Sequence, residues 1–305
     1  MELAVHLPLM RLGEEPLSMG RLQRAVDAAR ESGFAAISAN DHLVFQTPWL
    51  DGPSALASMI ERSGDMELAT TISLAVVRGP VALAKTLAGI DVLSEGRLVA
   101  ALGPGSSERD YQAVGIPFEE RWKRFDETIA VLRALLKGEP MPKRLRYYAL
   151  PADLELAPAP FREDGIPLWI GSWGSAAGLA RVVRAGDGWL ASAYNTTPEG
   201  FAAGRAALPA GFPSGLATMW TWVSEDQAEV DRVLADELAP ALGGRDPAEL
   251  AAQVCVGSAE HCAELLSRYA EAGCDRVYLW PLADEPRQIE LVAESVAPAI
   301  PGSLR

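Results

Sequence analysis

The sequence runs to 305 residues, 49% of them hydrophobic and 22% charged, with a net charge of −14. That is long for an ordinary domain but normal for a (β/α)8 barrel of roughly 250 residues or more, and the composition is globular rather than disordered. The acidic balance, with a pI near 4.7, argues against nucleic acid as a partner, because phosphate recognition draws on a basic footprint, and disfavours anionic membranes for the same reason.

The opening Met1-Glu2-Leu3-Ala4-Val5-His6 lacks the basic flank and apolar run of a signal peptide, and no stretch approaches the ~20 apolar residues of a membrane span, so a cytoplasmic location is expected. Leu3 to Leu7 reads as a first strand. A helix begins at about Ser18, a plausible N-cap, places Leu22, Ala25, Val26 and Ala29 on one face and stops at Gly33. Phe34 to Ala39 is the second strand, Pro53 to Arg62 a helix, and Met66 to Leu74 the third strand. Pro80 opens a helix with Leu83, Leu87, Ile90 and Leu93 on its apolar face. Leu98 to Leu102 is the fourth strand, and Phe125 to Leu136 carries the fourth long helix, ending at Gly138.

From Glu139 to Gly165 the rhythm breaks around five prolines. Such a long excursion is usually functional or mobile, and substrate specificity is expected from it and from the loop after Asn40. Its Lys143-Arg144-Leu145-Arg146 reads as a solvated basic turn. Alternation resumes with Pro167 to Gly171, a helix from Ser175 to Arg184, Gly188 to Ser192, and a seventh strand at Leu216 to Val223. Helical stripes over Glu225–Leu238 and Ala259–Glu271, an eighth strand at Asp275–Trp280 and a closing helix at Gln288–Val296 complete one (β/α)8 TIM barrel over residues 1–305, with an insertion after the fourth helix. A doubly wound sheet typically stops at about five or six strands and carries a Gly-rich loop after the first. Residues 8–17 hold none.

In a barrel, chemistry gathers at the C-terminal ends of the strands. Those ends read Asn40-Asp41-His42, Val77-Arg78-Gly79, Gly103-Pro104-Gly105-Ser106-Ser107, Gly171-Ser172-Trp173-Gly174-Ser175 and Ala193-Tyr194-Asn195. His42 with Asp41 is the candidate catalytic pair, where an imidazole could move a proton; His6 is a weaker candidate. Gly103, Gly105 and Ser106 let backbone approach a ligand, and Ser172, Trp173, Gly174 and Ser175 open a helix whose N-terminus suits a phosphate, although capping alone explains such a turn equally well. Trp220, Trp222 and Trp280 either form an aromatic wall or pack the core. Cys255, His261 and Cys262 lack a fourth ligand at zinc spacing, so no metal is expected. No nucleophile elbow is present. A cavity with few acid-base groups and an anion cradle is what a cofactor-dependent site looks like.

Several segments match a known family. Ala84-Lys85-Thr86-Leu87-Ala88-Gly89-Ile90-Asp91-Val92-Leu93-Ser94-Glu95-Gly96-Arg97, the block from Gly103 through Tyr111 to Gly115-Ile116-Pro117-Phe118-Glu119-Glu120-Arg121, the pair Pro167-Leu168-Trp169-Ile170-Gly171 and Ala185-Gly186-Asp187-Gly188-Trp189, and the block around Val256-Gly257-Ser258 resemble the luciferase-like monooxygenase superfamily, in its order. The resemblance implies a flavin or deazaflavin ring at the barrel mouth beside Asp41 and His42. It also implies a cis peptide at Thr71-Ile72 against the ring, and cofactor contacts from Gly103, Gly105, Ser106, Ser172, Trp173, Gly174 and Ser175. Asp41-His42 and Trp280-Pro281-Leu282 are more similar to the branch using coenzyme F420 than to the one using FMN. Where that branch's sugar-phosphate and alcohol dehydrogenases carry a glutamate, Ser106 stands here, so their substrates do not carry over. The expectation is hydride transfer between F420 and a small organic substrate. The alternatives are an FMNH2-dependent monooxygenase served by a separate flavin reductase, a non-catalytic flavin-binding barrel, and an unrelated barrel lyase. A homodimer through the second and third helices is also implied.

Overall fold

The computed structural model describes residues 1–10, 15–151 and 153–305. Its strands are β1 (Glu2–His6), β2 (Ala36–Ala39), β3 (Glu67–Leu74), β4 (Leu98–Gly103), β5 (Leu168–Gly171), β6 (Gly188–Ser192), β7 (Ser214–Val223), β8 (Cys255–Gly257) and β9 (Arg276–Pro281). Each pairs in parallel with its neighbour in order from β1 to β7, and β9 closes the ring by pairing with both β7 and β1. The eight strands read from the sequence are therefore β1 to β7 and β9. The ninth, β8, adds only to the outer end of β7, from Thr221↔Cys255 to Val223↔Gly257; three residues between two helices leave no periodicity to read.

The helices cover the outside of the barrel, each starting near a strand's C-terminal end and running back. Ser18 caps the helix Met19–Glu31 by accepting the Arg21 N–H, as its position predicts. The second predicted helix is shorter than expected, Gly52–Ser58, capped by Asp51. The predicted stripes at 225–238 and 288–296 each begin as an α-helix and continue in a wider turn, over Val233–Leu238 and Val292–Val296.

Strand side chains alternate between the helix layer and the barrel interior. The interior has three levels. At the N-terminal end, Arg276 donates to Glu2 at 2.9 Å and to Glu67. Burial raises the Glu2 carboxyl, but Arg276 and Arg305 outweigh it and hold it below the usual carboxylate range. In the middle, Ala4, Ala36, Ala69, Ala101 and Ala217 leave the room that the rings of Trp169 and Tyr278 fill. The Trp169 indole lies flat against backbone: a Cβ at Gly188 would come within 2.5 Å of it, and one at Gly215 within 2.9 Å. At the C-terminal end sit His6, Trp220 and Trp280.

The excursion after the helix Arg121–Lys137 does not approach that end. It connects a helix to the next strand, which puts it at the N-terminal face of the barrel, and it wraps the outer helices. Glu127 accepts the Arg146 and Tyr147 amides at 2.8 and 2.9 Å, and buried Asp91 accepts the Phe161 amide at 2.8 Å. None of its described residues lines the cavity described below, so the structure shows no contact through which the role in specificity expected of residues 139–165 would act. Asp91 and Arg97 of the family-like segment are thereby accounted for structurally, since Arg97 donates to Ser63, Met66, Ser94 and Ile60. Among the described residues no helix is long and apolar enough to cross a membrane, and no group of three His, Cys, Asp or Glu could hold a metal.

Candidate active site

A cavity of about 340 Å³ opens at the C-terminal end of the barrel, lined by Asn40, His42, Ser106, Ser107, Trp173 and Trp220 among others. The three polar turns after β2, β4 and β5 thus share one mouth. The volume lies near the lower end of the range for small-molecule sites, roughly 300–1,000 Å³.

His42 enters from the end of β2. Its Nδ1 donates to Asp110 Oδ2 at 2.7 Å, while Asp110 Oδ1 accepts the amides of Leu43 and Val44 at 2.8 Å each. Asp110 is fully buried. Burial pushes its carboxyl up, but the His42 ring and the two amides more than offset this and hold it below its ordinary value. The imidazole is therefore fixed by a carboxylate on one nitrogen, which leaves Nε2 for the cavity. Phe45 and Trp49, on the following loop, pack their rings 4.6 and 4.8 Å from the His42 ring.

Asp41 does something else. Both its oxygens are taken by Arg78 at 2.6 Å, and Oδ2 also accepts the Leu74 amide at 3.0 Å. It is buried and absent from the cavity lining: of the candidate catalytic pair, His42 faces the cavity, while Asp41 ties the end of β2 to the end of β3. The Thr71–Ile72 peptide within β3 is cis. Ile72 fills the space beside Gly103 and Gly171, and Leu74 the space beside Gly105. The room at Gly103 and Gly105, expected for a ligand, is thus taken by these side chains, and the residues of that loop that face the cavity are Ser106 and Ser107.

On the β5 side, Ser175 caps the helix Ala176–Ala185 by accepting the Gly178 amide at 3.2 Å, and Ser172 accepts the Gly174 amide at 3.3 Å. Gly174 has a φ of +91° and nothing near the position a Cβ would take. Trp173 is 61% exposed at the rim.

The opposite wall is aromatic. Trp280 is sandwiched between His6 at 3.6 Å and Trp220 at 4.0 Å between ring centres. Trp222 faces elsewhere, into a surface depression with Glu225 and Glu229. His6 Nδ1 donates to the Leu7 carbonyl at 2.7 Å and Nε2 accepts the Asn40 amide at 3.0 Å. Burial depresses its pKa to about 3, against the smaller upward pull of these two bonds, so His6 is a neutral wall group. This has a measurable sign. The unfolded chain takes up a proton on His6 below pH ~6.5 and the folded one does not, so stability is lost as pH falls through this window. Wild-type stability in urea is expected to drop by about 1 kcal/mol more than that of His6→Gln between pH 7 and 5.5; parallel drops would show that His6 ionises in the fold.

Beyond β6 and β7, a register shift in β7 turns Thr218, at φ +56°, toward the cavity; bulges commonly re-aim side chains in this way. Its hydroxyl bonds Ser192 at 2.9 Å, Ser192 accepts from Asn195 at 3.0 Å, and Asn195 accepts from Arg245 at 2.6 Å. Four groups in or near the mouth are buried without partners: Asn40 Oδ1, Trp49 Nε1, Trp220 Nε1 and Thr71 Oγ1. Buried polar groups are nearly always satisfied, so donors and acceptors left open around an aromatic cavity fit a polar planar ligand.

A closed parallel (β/α)8 barrel with its polar turns gathered at one mouth is the class of protein that this fold and site define. Residues 3–214 match the family of luciferase-like monooxygenases, and the chain belongs to that family. It is 26% identical over 230 residues to the 4-hydroxyprotoasukamycin monooxygenase of Streptomyces nodosus subsp. asukaensis, covering 74% of this chain and 59% of that one. It is 28% identical over 211 residues to the F420-dependent hydroxymycolic acid dehydrogenase of Mycobacterium tuberculosis, covering 64% and 56%. An uncharacterized protein of the same bacterium is 33% identical over 114 residues, 37% of this chain and 38% of that one. The matches therefore span less than two thirds of these relatives. Among solved structures, an F420-dependent secondary alcohol dehydrogenase in complex with an F420-acetone adduct superposes with a TM-score of 0.81 at 19% identity, covering 98% of each chain. The monooxygenase RslO1 from Streptomyces bottropensis gives 0.81 at 20%, covering 98% and 99%. At these identities the likeness is one of fold.

Asp110, Trp49 and Arg245 line or support this site and escaped the sequence reading. Asp110 follows the Gly103–Ser107 loop within a short helix, Glu108–Ala113, and nothing in its neighbourhood in sequence points to His42.

Proposed function

We propose that the protein is an oxidoreductase that transfers hydride between coenzyme F420 and a small organic substrate. The observation that carries this reading is the His42–Asp110 pair set in an aromatic cavity whose described lining holds neither a cysteine nor a carboxylate. Such a wall offers a proton and a shaped surface, and leaves the redox step to a cofactor. The F420-dependent relative supports the choice, as does the resemblance of Asp41-His42 and Trp280-Pro281-Leu282 to the F420 branch.

When bound, the coenzyme supplies or accepts the hydride. The turn Ser172–Ser175 and the opening amides of the helix Ala176–Ala185 would hold its phosphate, as helix N-termini do. Trp220, backed by the stacked Trp280, walls the cavity and excludes water, and its open N–H is a donor for a bound planar group. His42, oriented by Asp110, holds or moves a proton at Nε2. Asp41 acts at one remove, by keeping the end of β3 in place.

A second reading is favoured by the monooxygenase relative: oxidation by reduced FMN and oxygen, with a separate flavin reductase. Anaerobic titrations with reduced F420 and reduced FMN, followed by oxygen-uptake measurements, separate the two. Tighter binding of F420 without oxygen uptake is expected. Tight FMN binding with substrate-dependent oxygen consumption would replace the first reading by the second.

A further inference from the structure

Among the described residues, one permanently charged side chain lines the cavity, Arg245. The chain carries 41 acidic residues against 27 basic ones, and several of its buried or half-buried arginines have carboxylate partners, as Arg21 has Glu285, Arg78 has Asp41 and Arg276 has Glu2. Arg245 differs. Its hydrogen bonds go to the Tyr194 carbonyl at 2.5 Å and Asn195 Oδ1 at 2.6 Å, both neutral, and its guanidinium lies 4.9 Å from the Tyr194 ring centre.

A guanidinium has five N–H donors in a rigid fork, and these bonds use two. They also hold the fork still, because Asn195 is itself fixed through Ser192 to Thr218. A partly buried cation kept in place by neutral acceptors, with donors left over, is prepared for a bidentate anion. On the same cavity, Trp49 and Trp220 offer aromatic surface with unpartnered N–H groups.

We propose that Arg245 receives the carboxylate of a planar aromatic substrate whose body lies against Trp49 and Trp220. This rests on the reading of the cavity as the substrate's site and adds the class of substrate. A cofactor phosphate is the other anion that could meet Arg245. The turn Ser172–Ser175 already offers neutral donors to a phosphate, and of its residues Trp173 alone reaches the cavity lining, so the substrate carboxylate is the better match.

The test compares 2-naphthoate with its neutral analogue 2-naphthalenemethanol on the purified full chain, by calorimetry, with and without reduced cofactor. Naphthoate is expected to bind about ten- to a hundredfold more tightly than the alcohol, the range of a charge-assisted contact. Arg245→Gln should abolish that preference while leaving alcohol binding and the melting temperature unchanged, and Arg245→Lys should restore part of it. Equal binding of the two probes to the wild type, or a preference that survives in Arg245→Gln, overturns the proposal. So does a variant that weakens cofactor binding and spares naphthoate, which would give Arg245 to the cofactor phosphate. Naphthoate preference in a chain that binds neither reduced cofactor would remove the oxidoreductase reading and leave this one standing.

Discussion

His42→Ala is expected to lower turnover by about a hundred- to ten-thousandfold, the usual contribution of a positioned acid or base, with the affinity for the reduced cofactor little changed. The expectation follows from geometry. His42 is the cavity group able to exchange a proton at a free nitrogen, and its other nitrogen is committed to Asp110 at 2.7 Å. Asp110→Asn tests the commitment separately. An amide can meet Nδ1 with either its oxygen or its NH2, so the imidazole loses both its fixed orientation and the carboxylate that favours N–H at Nδ1. Turnover should fall, but less than in His42→Ala, and the double variant should be no worse than His42→Ala, because residues acting as a unit are not additive. Asp110 also has a stability signature. Its carboxyl is held below the ordinary range by His42 and the Leu43 and Val44 amides against the opposing effect of burial. The stabilisation is therefore complete above the unfolded-state value, near 3.9, and is lost as pH falls through the lower folded value. Acid unfolding should accordingly be less steep in Asp110→Asn. Single-turnover kinetics decide the main point: a His42→Ala enzyme with wild-type rates removes the imidazole from the chemistry.

The barrel was legible because its grammar is local. Short apolar runs alternating with amphipathic stripes, each stopped by a glycine or capped by a serine, need no knowledge of what packs where. The same locality explains the misses. β8 is three residues long and owes its existence to the end of β7. The excursion at 139–165 was legible as irregular, yet its place was decided by connectivity: a segment leading from a helix into a strand lies at the face away from the site. Within the site, polar turns at strand ends were visible one by one, but the partner of each group comes from elsewhere in the chain. Asp110 lies 68 residues from His42 and Arg245 lies 50 from Asn195. A pattern of adjacent residues joined Asp41 to His42, and folding separated them, one into the wall and one into the cavity. The glycines show the same ambiguity, since a small residue leaves room for a ligand or for a neighbour, and at Gly103 the neighbour is Ile72.

Asp41→Ala is expected to cost about 3 kcal/mol or more of stability. Asp41 is buried, and its two oxygens receive Arg78 and the Leu74 amide. Removing one member of a buried ion pair typically costs 3–5 kcal/mol because the other charge is left uncompensated. Here the lower end applies, since Arg78 keeps Asp51 as a second partner. Arg78 stays protonated at any accessible pH: burial pulls its pKa down, but Asp41 and Asp51 together more than reverse that. The guanidinium therefore cannot escape the penalty by losing its proton. Adding Arg78→Met to Asp41→Ala should recover part of the loss, as replacing a whole buried pair by apolar groups often does. Asp41→Asn separates this positioning role from direct participation in chemistry. If Asp41 only anchors the strand ends, urea unfolding will register the substitution, and residual turnover will fall in step with the disturbance of β3. A variant as stable as the wild type but a hundredfold slower would return Asp41 to the catalytic group and place its carboxylate within reach of the substrate.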